Sequence, residues 1–134
     1  MISTELARAL RDSGLVWQPR AGDAFLIDRV EADDDVFILS DMTVEAHEFS
    51  TGTVLGFNGT TEWALDSVAI DDALWLPRED QLRELLGSAF ASLSGWAAFT
   101  VVAIIDGVTE EFTADTAAQA YGRALLKRLD SLAL

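Results

Sequence analysis

The stretch AFTVVAIIDGVTEEFT, residues 98–113, decides the fold. In residues 98–105 apolar side chains fall at odd and even positions alike, with Thr100 the single polar member. A strand that is wet on one side alternates polar with apolar, so a run without alternation reads as a central strand covered on both sides. Asp106 and Gly107 then supply the two positive-φ residues that a type I′ turn demands. A hairpin from residue 98 to 113 follows.

Beyond it, Thr113 or Asp115 is expected to cap a long helix whose Ala118, Tyr121, Leu125, Leu129 and Leu132 form one stripe. Gly122 within that helix is expected to let it lie close to the sheet. Before the hairpin, Pro77 suits a first helical position, and Glu79 and Asp80 suit the positive end of the same helix. Leu82, Leu85, Leu86 and Phe90 make its apolar stripe, and Gly87 is placed to end it. Between residues 24 and 57, AFLIDRV, VFILSD, TVEAHEF and TVLGF are short, rich in β-branched and aromatic residues, and separated by DDD and STG. These read as antiparallel strands. At the N-terminus STELARALRDSG gives a helix with Ser3 or Thr4 as cap and Gly14 as stop. The sum is an α+β chain: a single domain over residues 1–134, with about six mostly antiparallel strands and with N-terminal, middle and long C-terminal helices packed on the sheet.

Composition narrows the function. With 23 acids against 9 bases the formal net charge is −14, opposite to what phosphate backbones and anionic membranes attract. No nucleic-acid or membrane partner is expected; a protein with a basic surface is. Cysteine is absent, which removes disulfides, thiolate nucleophiles and Cys-ligated metals. The longest apolar run, WAAFTVVAII, is ten residues, against the roughly 20 that span a bilayer. Together with an N-terminus that carries charges every few residues, this reads as a soluble, cytoplasmic protein.

Catalytic signatures are missing. Neither a P-loop nor a dinucleotide-binding glycine pattern occurs, and no serine sits in a glycine-flanked elbow. The single histidine, His47, shares a strand face with Glu45 and Phe49 and reads as a surface residue. No cofactor is expected.

What remains is FNGTTEWALDSVAIDDALWLP, residues 57–77, dense in acids and tryptophan. A short helix over EWALDSV would set Glu62 and Asp66 one turn apart, where like charges repel unless a cation, an arginine or a backbone N–H neutralises them. This supports two readings. In the favoured one the chain is a non-catalytic protein-binding module, with Glu62, Trp63, Asp66, Trp75 and Glu79 on one exposed patch. In the alternative, Asp41, Glu62 and Asp66 hold Mg²⁺ or Ca²⁺ in a small hydrolase or ligand-binding enzyme. Trp17 and Trp96 compete for the interior. Self-association through a sheet edge or helix face is a further expectation.

The segments VFILSDMTVE, GTTEWALD, WLPREDQLRELL and AYGRALL resemble a family of small bacterial proteins of about this length, some of which carry the label "pilus assembly protein". The similarity covers most of the chain. It implies no functional residues that could be carried over.

Overall fold

Asp106 and Gly107 take φ of +52° and +78°, and Ile105 pairs with Val108 across them, so the expected type I′ turn is present. In this computed structural model the described residues are 1–28, 35–39, 44–49, 52–57, 67–69 and 72–132, of which 44–49, 52–57 and 67–69 are described as backbone. In chain order the elements are α1 (Thr4–Asp12), β1 (Ala24–Ile27), β2 (Val36–Ile38), β3 (Val44–Phe49), β4 (Gly52–Phe57), β5 (Ser67–Ala69), β6 (Ala73–Leu76), α2 (Glu79–Leu86), β7 (Phe90–Gly95), β8 (Phe99–Ile105), β9 (Val108–Ala114) and α3 (Ala117–Leu132). The fold is α+β with antiparallel sheets, as the sequence indicates. Among the described residues the strands form three sheets of three, ordered β2-β1-β6, β3-β4-β5 and β7-β8-β9. The chain divides into two compact units, a central one of Trp17–Leu76 and a terminal one of Met1–Val16 with Pro77–Leu134.

In the terminal unit β8 is the middle strand, as its composition demands, and α3 packs on the sheet. Val101, Ala103 and Ile105 are buried. The expectation of cover on both sides fails, however: Val102 is half-buried and Ile104 is 49% exposed. Apolar residues on both faces therefore report β-propensity on the outer one, where β-branched side chains suit the pleat whether or not they are covered.

Thr116 caps α3, its Oγ accepting from the Gln119 N–H at 3.1 Å, in place of Thr113 or Asp115. Ala117, Ala118, Ala120, Tyr121, Ala124 and Leu125 are buried along the helix, while Leu132 at its end is exposed. The close approach at Gly122 is to α1 and not to the sheet. A Cβ there would stand 2.6 Å from Leu6 Cδ2 and 3.5 Å from Ile2 Cγ2. In α1, Ser3 Oγ accepts from the Leu6 N–H at 3.1 Å. Gly14, at φ +107°, closes the other end while Leu15 N–H donates to Leu10 O at 3.0 Å.

Pro77 is buried and lies before the cap of α2 instead of at its first position. Arg78 is the cap residue, and its N–H donates to Gln81 Oε1 at 2.9 Å. Leu82 and Leu86 are fully buried, whereas Leu85, expected on the same stripe, is 38% exposed. Gly87, at φ +54°, ends the helix, and the Arg128 guanidinium donates to the Leu85 and Leu86 carbonyls there. These are the orphan acceptors any helix terminus leaves.

Tyr121, the chain's single tyrosine, is buried with its ring 5.7 Å from Phe90. Burial raises its pKa above the ordinary 10.0, with nearby Arg83 opposing and Glu79 adding. The folded state thus holds the proton more tightly than the unfolded chain. Its contribution to stability is complete below pH 10 and is lost as pH rises through the folded-state pKa. Spectrophotometric titration should show tyrosinate appearing later than in free tyrosine and together with alkaline unfolding. Titration at the free value in folded protein contradicts this packing.

In the central unit, Trp17, Phe25, Ile27, Leu39 and Ala73 form an apolar cluster with Trp75 packed against it. Phe25 is fully buried between Trp17 at 5.4 Å and Phe37 at 5.6 Å. Buried Asp23 accepts from Trp17 Nε1 at 2.9 Å and from the Arg20 N–H at 3.0 Å, which fixes the indole over Phe25. The helix expected over EWALDSV is corrected where it can be seen. Ser67 and Val68 belong to β5, paired with Gly56 and Leu55 of β4; residues 62–66 lie outside the described residues.

Candidate functional site

Of the site residues singled out from sequence, Trp75 and Glu79 are among the described residues. Asp41, Glu62, Trp63 and Asp66 lie outside the described residues, and the side chain of His47 is not described. Trp75 belongs to the central unit, half-buried, its ring stacked on Trp17 at 6.5 Å with an interplanar angle of 14°. Its Nε1 is buried with no hydrogen-bond partner among the described residues. It is seated as a packing residue. Glu79 belongs to the terminal unit, exposed in the first turn of α2. Among the described residues no three His, Asp or Glu side chains converge as metal ligands, and no helix is long and apolar enough to cross a membrane.

Among the described residues the exposed tryptophan is Trp96, at 93%. It sits in the three-residue connection between β7 and β8, which Gly95 and Phe99 close as a pair. Gly95 has φ +118°, and a Cβ on it would fall 2.0 Å from the Ala98 carbonyl oxygen. Backbone therefore occupies the volume a side chain would need. Trp96 stands exposed on the backbone that follows this tight passage.

Beside the tip runs a groove of about 510 Å³, lined by Met1, Ser3, Ala98, residues 113–116, Gln119 and Arg123. Its walls are tied across the sequence. Gln119 Oε1 accepts from the Ser3 N–H at 2.9 Å, and Gln119 Nε2 donates to Ser3 Oγ at 3.2 Å. Arg123 Nη1 donates to the Thr113 carbonyl at 2.6 Å, and the Thr100 and Thr113 hydroxyls share a hydrogen bond at 2.9 Å. A tryptophan on a short connection beside a polar groove can seat an apolar group while satisfying the polar atoms around it. No nucleophile–base pair is seen there.

Reading Trp96 as a residue competing for the interior missed this site. No local signal marked its setting, because the strand that precedes the connection, Phe90–Gly95, has no strand-like composition of its own. Compared with models of known protein families, with curated proteins and with solved structures, the chain matches none.

Proposed function

We propose that this chain is a non-catalytic, cytoplasmic protein-binding module whose contact surface is the hairpin end of the terminal unit, with Trp96 as its anchor. The observation that carries the reading is the 93% exposure of Trp96 on a connection that Gly95 constrains. Leaving an indole in water forgoes roughly 2–3 kcal/mol of burial, and tryptophan is among the residues most enriched where partners make their strongest contacts. A three-residue connection closed by the Gly95–Phe99 pair also loses little conformational entropy on binding. A chain without cysteine suits a reducing compartment.

The test is affinity capture from source lysate with tagged wild type, Trp96→Ser and the double variant Trp63→Ala, Asp66→Ala, after thermal melts show all three folded. Trp96→Ser should lower recovery of the captured chain at least tenfold, as removal of an anchor worth about 2 kcal/mol does. Undiminished capture by Trp96→Ser, with loss in the double variant, moves the site to residues 62–66 and overturns this reading.

A further inference from the structure

We infer that the partner at this hairpin end is a second copy of the chain, its β7 strand paired antiparallel with this one about Leu93; the inference rests on the binding role of the Trp96 tip.

β7 is an edge strand of its sheet, and every residue from Ala91 to Ala98 is exposed. Alternate N–H and C=O groups of such a strand point away from the sheet, ready for another strand. Natural edges are guarded by charge. The opposite edge, β9, follows that rule with Glu110 and Glu111, whereas β7 does not. Between Glu84 and Asp106 no residue is charged. The neutral run is set in a chain of net charge −14, so it is the stretch where an equally acidic copy can approach without facing carboxylates. Basic partners gain nothing from it.

The position of the two-fold follows from the strand itself. Its ladder to β8 is interrupted between Phe90 and Ser92, which confines regular pairing to the segment from Ser92 onward. Leu93 is the one large apolar residue in that segment before the tip, and it is 38% exposed. With Leu93 opposite Leu93 of the other copy, Ser92 faces Ser94, and each Trp96 comes beside the other copy's Phe90. Two β7-β8-β9 sheets then continue as one of six strands, and both indoles leave water.

Sedimentation of the full chain tests this. We expect reversible dimers that strengthen as salt screens the repulsion between acidic copies, the reverse of what a basic partner shows. Leu93→Lys should weaken dimerisation at least tenfold without lowering the melting temperature. Leu93→Cys, in a chain with no other cysteine, should cross-link on mild oxidation. Wild type that stays monomeric up to about 100 µM, or Leu93→Lys that dimerises as wild type does, overturns the inference. If such a monomer still captures a different protein through Trp96, the binding-module reading survives; if Trp96→Ser changes no capture at all, both fall.

Discussion

Gly95→Val should cost about 3–4 kcal/mol of stability and lower the melting temperature by roughly 10 °C. Two effects add. At φ +118° a β-branched residue is strained wherever it stands. In addition its Cβ would lie 2.0 Å from the Ala98 oxygen and 3.1 Å from Phe99 Cα, both backbone atoms, so no rotamer change relieves the clash. Either the connection opens or the Gly95–Phe99 pair breaks, and in both cases Trp96 loses its fixed direction. Gly14→Val is the internal control: φ there is +107°, yet nothing lies within 4 Å of the added Cβ. It should carry the conformational strain alone, about 1–2 kcal/mol. Equal losses in the two variants would show that the close approach at Gly95 is not real.

Phe25→Ala should be comparably severe, lowering stability by about 3–5 kcal/mol and the urea midpoint by roughly 2 M. Phe25 is fully buried and carries ring contacts to Trp17 and Phe37. Trp17 is held by its bond to buried Asp23 and has little freedom to close the cavity that truncation leaves. The near-ultraviolet circular dichroism of stacked Trp17 and Trp75 should diminish in the same variant. A midpoint within about 0.5 M of wild type would show that Phe25 is not the centre of the central unit.

What the sequence disclosed divides by the range of the interactions involved. Asp106-Gly107 was legible because a type I′ turn is chosen by its own two residues, and the Ser3 cap and the Gly87 stop are equally local. Pro77 was misplaced by two positions, since its fixed φ suits the residue ahead of a cap as well as the first helical one, and the Gln81 side chain decided for Arg78. β7 was not legible. Phe90-Ala91-Ser92-Leu93-Ser94-Gly95 contains no β-branched residue and becomes a strand because β8 lies beside it to pair with. Likewise Ser67 and Val68 take strand geometry from Leu55 and Gly56, against a helical spacing of their own. The purpose of Gly122 was hidden for a similar reason, because the residue it accommodates is Leu6, at the other end of the chain.

The candidate site was the least legible part. Composition assigns tryptophan to cores, and for Trp17 and Trp75 that holds. The same rule misdirects at Trp96, which stands 93% exposed in a three-residue connection.

The central claim, that an outward indole at position 96 is the contact point, is tested most directly by oxidative footprinting read by mass spectrometry, on the dilute chain and on the captured complex. In the dilute chain Trp96 should be oxidised well before Trp17 and Trp75, and in the complex it should be strongly protected. Oxidation of Trp96 no faster than that of Trp17, or equally fast with and without a partner bound, would contradict the account.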